Sequence, residues 1–178
     1  MYSIDEIVAL AKKIHGLNYA KWWEGKNRCP IEALQLANTE ICEGTQGDRK
    51  NAPDDHLPHR KMAEVEMADF FIRLLDWAEG FGYDLKEVKV PSTWPNTWSI
   101  KNSLAARHFG LVDELVKLGR LHDMGMVSLV VTQIGYAISG IFQICQEEAY
   151  DLRGAVNEKL EYNKTRPDHQ VNDNTKAY

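Results

Sequence analysis

From about His59 to Gly80 apolar residues fill most positions, including Val65, Ala68, Phe70, Phe71, Ile72, Leu74, Leu75 and Trp77. The polar exceptions Glu66, Asp69, Arg73 and Asp76 follow one another at spacings of three, four and three. Side chains three or four residues apart share a helical face, so the pattern predicts a nearly encased helix with one narrow polar stripe. Upstream, Ser3-Ile4-Asp5-Glu6 forms a capping-box pattern that opens a first helix, expected to stop near Gly16. Pro30 suits the first turn of a second helix running to about Gly44, and the Gly, Asp, Asn and Pro content of Thr45 to Pro58 reads as a loop. After a loop from Val90 to Asn96, broken by Pro91 and Pro95, helices are expected over about Ile100–Leu118, Met124–Gln146 and Glu147–Asn163. No useful length shows the period-two alternation of a strand, so the expected fold class is all-α, a helical bundle.

Met124 to Gln146 carries no formal charge and is long enough to cross a bilayer. Its Ser128, Thr132, Gln133, Ser139, Gln143 and Gln146 would each need a hydrogen-bond partner in lipid. A buried bundle or subunit-interface helix is the expectation, with Gly135, Ala137 and Gly140 permitting close approach. A faint internal repeat relates residues 70–88 to residues 139–156, both ending an apolar helical run in Tyr-Asp-Leu. The acids of the first copy are replaced by apolar or small residues in the second.

The chain has 178 residues, 44% hydrophobic and 26% charged, which suits one domain with a sizeable core. The expected organisation is one helical domain over 1–166, with inserted helices at about 100–146 and a loose polar tail at 167–178. A net charge of −5 provides no broad basic footprint, which argues against nucleic-acid binding as the main activity. Cys29, Cys42 and Cys145 show no metal-type spacing and read as reduced thiols. Asp5 and Glu6 stand where a signal peptide would be positive, so the expected location is cytoplasmic.

The candidate chemistry lies in two acidic pairs, Glu40 with Glu43 and Glu66 with Asp69, each at i,i+3. Two such faces turned together would present four hard oxygen donors to Mg²⁺ or Mn²⁺. Clustered acids repel one another unless a cation sits among them. A single ExxE on a helix is commonly a solvated face, and the competing reading of the stripe is that it is the wet side of a core helix. Lys159, Asn163 and Arg166, at i, i+4 and i+7, share a face suited to a phosphate chain, although such cations also serve a helix C-terminus. Of the adjacent Trp22 and Trp23, Trp23 is the one expected to face a ligand and stack on a nucleobase.

These segments, TEICEG, EVEMADFFIRLLD and EKLEYNKTRP, together with DDHLP before the third helix, resemble the MazG-type all-α nucleoside triphosphate pyrophosphohydrolases, in particular phage-type members. The resemblance covers about residues 3–83 and 153–167. It implies hydrolysis of an NTP or dNTP to the monophosphate and pyrophosphate with Mg²⁺ or Mn²⁺, more than one ion per site, and dGTP or GTP ranked first. It also implies metal held by Glu40, Glu43, Glu66 and Asp69, with Glu43 helping to deprotonate the attacking water. Lys159, Asn163 and Arg166 would grip phosphates, and the protein would be a homodimer or homotetramer. The segment between Leu85 and Arg153 departs from compact members. Two other readings compete: an HD-type phosphohydrolase using His122 and Asp123 of RLHDMG, and a non-catalytic helical interaction module.

Overall fold

Among the described residues, six α-helices build the fold: α1 (Ile4–Asn18), α2 (Pro30–Lys50), α3 (Met62–Gly80), α4 (Leu104–Asp123), α5 (Val127–Glu147) and α6 (Leu152–Thr165). A π-helical turn, Tyr19–Trp23, follows α1, and a 3-10 turn, Leu85–Glu87, follows α3. The computed structural model describes residues 1–97 and 103–166. The expected tail over 167–178 and a helix start at Ile100 lie outside the described residues. No strand occurs among the described residues; the one β-type contact is an isolated bridge between Pro53 and Lys61. The all-α expectation therefore holds.

α3 is the central element. Its apolar residues Val65, Phe70, Phe71, Leu74, Leu75 and Trp77 are all buried, and it packs against α1, α2, α5 and α6. One cluster of buried apolar side chains runs through all six helices. Each fully buried Leu or Phe contributes about 1.5–3 kcal/mol, so a helix encased in this way anchors whatever polar stripe it carries.

Several helix boundaries differ from those expected. Instead of stopping at Gly44, α2 continues to Lys50. Gly44 and Gly47 act here as contact points: a Cβ on Gly47 would lie 2.7 Å from Met62 Cβ, and one on Gly44 would lie 3.4 Å from Glu66 Cβ. The two glycines let α2 and α3 approach closely. Asn51, in the left-handed region at φ 46°, ends the helix. α3 starts at Met62 rather than His59, because residues 52–61 fold into a loop closed on itself. Met62 N–H donates to Ala52 O (3.0 Å), and buried Asp54 accepts the backbone N–H groups of His56 and Leu57.

α1 runs past Gly16 to Asn18 and then widens into the π turn. The Asp76 carboxylate of α3 holds this junction, accepting His15 Nδ1 (2.9 Å), Asn18 Nδ2 (2.9 Å) and Trp23 Nε1 (3.2 Å). α4 outlasts its expected end at Leu118, since His122 in its last turn packs on Trp77, Phe81 and Tyr83. α6 begins at Leu152, because α5 continues to Glu147 and Ala149 then turns the chain at φ 57°.

Long and apolar enough to cross a membrane, α5 has two thirds of its apolar window (67%) buried within the protein. The small residues serve the close packing expected of them. A Cβ on Gly135 would lie 2.2 Å from Lys89 O, and one on Gly140 would lie 2.8 Å from both Trp94 and Leu111. Buried Glu114 of α4 gathers the polar groups of this region, accepting Trp94 Nε1 (3.1 Å), Asn96 Nδ2 (2.6 Å) and Gln133 Nε2.

The two Tyr-Asp-Leu segments adopt the same local form. Tyr83 N–H bonds Ala78 O and Tyr150 N–H bonds Cys145 O, each five residues back, after a positive-φ residue (Gly82, Ala149). Asp84 and Asp151 then each cap the segment that follows. The repeat in sequence corresponds to a shared helix-exit turn.

Candidate metal centre and adjoining cavity

The close α2–α3 packing brings Glu40 and Glu43 of α2 to Glu66 of α3. One carboxylate oxygen from each lies within 4.8 Å of the others. Glu40 and Glu66 are buried, while Glu43 is exposed. Among the described residues this is the single group of three or more His, Cys, Asp or Glu side chains close enough to share an ion. Such a group is held together against its own repulsion. Burial, then Asp69, then Glu40 push Glu66 far above the usual carboxylate range. Burial and Glu40 also raise Glu43. Three hard oxygen donors that repel in each other's company suit a divalent cation, which would relieve both the burial and the repulsion.

Asp69, one turn along from Glu66, is held differently. Its Oδ2 lies 2.7 Å from Lys159 Nζ of α6, and the lysine is 4% exposed. Burial pushes Asp69 up to about 6, partly countered by Lys159. Asp69 adds to the negative field on Glu66 but stands outside the group of three. Lys159 thus spends its ammonium on an acid, with further attraction to Glu66 and Asp54. Arg73, one turn beyond Asp69, places its Nε 2.5 Å from Glu40 Oε1. Two protein cations therefore brace the acids, one from α6 and one from α3.

A cavity of about 400 Å³ has Asp69 and Arg73 in its wall and meets the cluster through Arg73, the partner of Glu40. Trp22, Trp23, Arg28, Asp76, Asn163 and Arg166 also line it. Of the residues expected from sequence to contact a ligand, Trp23, Asn163 and Arg166 border this space. Trp23 is well engaged there: besides donating to Asp76, it packs edge-on against His15 and Phe81, and Arg28 lies 5.1 Å from its ring centre. Its six-membered ring lies against Gly80, where a Cβ would come within 2.1 Å. Asn163 Oδ1 is buried without a hydrogen-bond partner among the described residues.

Sequence reasoning did not single out Arg28, Asn18 or the role of Asp76. Asp76 was visible as the last member of the α3 stripe. Its partners His15, Asn18 and Trp23 lie at least 53 residues away in sequence, so no local spacing announces them. The competing His122–Asp123 pair lies elsewhere. His122 Nδ1 is 2.6 Å from Tyr83 OH within an aromatic nest, and neither residue joins a potential metal group among the described residues.

Fold and site together define an all-α helical bundle with an acidic cluster able to coordinate a metal ion. No family model, curated protein or solved structure matches this chain.

Proposed function

We propose that this protein is a Mg²⁺- or Mn²⁺-dependent nucleoside triphosphate pyrophosphohydrolase of the MazG type, converting (d)NTP and water to (d)NMP and pyrophosphate. The observation that carries the reading is the Glu40–Glu43–Glu66 group beside a cavity walled by both indoles and guanidinium groups. Carboxylates for a cation, cations for phosphates and indoles for a base form the complement that such a substrate needs. A divalent ion bound here would neutralise phosphate charge and lower the pKa of a water molecule.

Glu40 and Glu66 serve as ligands held rigid by burial. Glu43, the exposed member with a raised affinity for protons, serves as ligand and as acceptor of the proton of the attacking water. Asp69 completes the acidic wall and keeps Lys159 in place. Trp23 offers an aromatic wall, while Asn163 and Arg166 lie along the path of the phosphate chain. dGTP and GTP rank first as substrates on the strength of the resemblance alone. A homodimer or homotetramer accompanies the same reading.

The test is a panel of NTPs and dNTPs incubated with Mg²⁺ or Mn²⁺, with products separated by chromatography. Monophosphate and pyrophosphate in equal amounts, from at least one nucleotide, are expected. Stepwise release of orthophosphate, or no hydrolysis of any member, would refute the proposal.

A further inference from the structure

Arg73 belongs to both halves of the site, touching Glu40 of the acidic group and lining the cavity. It sits on the α3 stripe seven residues after Glu66 and four after Asp69, so the helix repeat points it the same way as both acids. Its Nε is committed to Glu40 Oε1 at 2.5 Å, yet the side chain remains 43% exposed and lines the cavity. Nη1 and Nη2 make no hydrogen bond to protein among the described residues. A guanidinium anchored through Nε presents its two outer nitrogens as a fork with fixed direction, the geometry that matches two oxygens of a phosphate.

Arg28 lines the same cavity, with its guanidinium near the Trp23 ring. Burial first and attraction to Asp76 second act on Arg28 in opposite senses, and the charge of Arg73 adds to the first, weakening its hold on its proton. The two guanidinium groups are like charges in the wall of one cavity. An anion between them would offset that shared charge and give both forks a partner. Lys159, by contrast, has its ammonium buried against Asp69 and already compensated.

We propose that Arg73, oriented by Glu40 and assisted by Arg28, is the principal grip on the polyphosphate tail of the ligand. This rests on the reading of the site as a nucleotide pyrophosphohydrolase and assigns it two phosphate-binding residues from α3 and the loop before α2. It also makes metal and phosphate sites share one side chain, since Glu40 holds the anion-binding fork while serving as a candidate ligand.

The test uses two probes on the full chain. Inorganic tripolyphosphate is titrated calorimetrically in the presence of a chelator, and Mn²⁺ alone is titrated with detection by electron paramagnetic resonance. Both are applied to wild type, Arg73→Ala, Arg73→Lys and Arg28→Ala, each checked for an unchanged thermal transition. Arg73→Ala is expected to weaken tripolyphosphate binding by roughly tenfold or more, and Arg73→Lys by less, because the charge survives without the fork. Arg28→Ala also weakens it, and Mn²⁺ affinity in Arg73→Ala is unchanged or tighter because Glu40 has lost a competitor. Tripolyphosphate affinity within twofold of wild type in Arg73→Ala would overturn the inference, as would a loss of Mn²⁺ affinity in that variant. Wild type that binds tripolyphosphate through Arg73 yet takes up no Mn²⁺ would sink the enzymatic reading and leave the anion grip standing.

Discussion

Lys159 Nζ lies 2.7 Å from Asp69 Oδ2, joining the last helix to the acidic stripe of α3. The lysine is buried and the acid nearly so, and their separation by 90 residues makes this contact a tertiary closure of the site. Breaking a buried pair by deleting one partner leaves the other charge uncompensated. Lys159→Met is expected to cost about 3 kcal/mol of stability at pH 8. Without the ammonium, Asp69 rises above its present value of about 6. The folded state then holds a proton that the unfolded state releases, so stability falls as pH rises. Denaturant unfolding at pH 6 and pH 8 should find the variant closer to wild type at the lower pH; an equal deficit at both would contradict the pairing.

Glu66 is the acid most burdened by its surroundings, through burial, Asp69 and Glu40. Glu66→Gln keeps the shape and removes the ionisable group, and with it the cost of holding a carboxyl protonated among other acids. The variant should melt higher than wild type in chelator, by about 2–4 °C for each kcal/mol of that cost. Wild type should gain about 2.7 kcal/mol at Mn²⁺ concentrations one hundred times Kd, and Glu66→Gln should gain much less. Thermal melts with and without Mn²⁺ measure both effects. A variant that melts lower in chelator and keeps the full Mn²⁺ response would remove Glu66 from the centre.

His122 and Glu43 separate the two hydrolytic readings. His122→Ala should leave nucleotide hydrolysis near the wild-type rate, since its ring sits among Trp77, Phe81 and Tyr83. Glu43→Ala should reduce the rate by about 100-fold or more, the usual worth of a positioned base. Steady-state rates on one substrate decide between them, and the reverse outcome would favour the His–Asp pair.

His108, which meets α2 beside Gly44, also couples stability to pH. Burial, assisted by Arg107, pushes its pKa down to about 4 from an ordinary value of 6.5. Thr45 Oγ1 lies 2.8 Å from Nδ1 and itself donates to Ile41 O, so the ring donates through Nδ1, while Nε2 is buried without a partner. Between these two pH values the unfolded chain binds more protons than the folded one, so stability rises with pH. The contribution is complete above pH 6.5 and is lost progressively as pH falls to about 4. Its size is on the order of 3 kcal/mol. Subtracting the pH profile of His108→Asn from that of wild type isolates it; a flat difference would disprove the assignment.

Gly135 marks where α5 accepts the segment after α3. A Cβ there would lie 2.2 Å from the backbone oxygen of Lys89, an atom that cannot swing away. Gly135→Ala should therefore destabilise by about 1–3 kcal/mol, while Gly16→Ala, in open space, should not. Chemical denaturation of both variants tests the contrast.

The periodicity of this chain determined its helical nature, the encased character of α3 and the single polar stripe that α3 carries. These are local properties, set by which side chains recur at three and four residues, and they are readable without any knowledge of neighbours. The glycines of α2 show where that reading ends: Gly44 and Gly47 look like stop signals in isolation and prove to be the points where α2 meets α3. The same packing decided that Glu40, Glu43 and Glu66 come within reach of one another while Asp69 pairs with Lys159. It also set Asp76 against His15, Asn18 and Trp23, and Arg73 against Glu40. Spacing along a helix states which face a side chain occupies; only the packing of one helix on another states what that face meets.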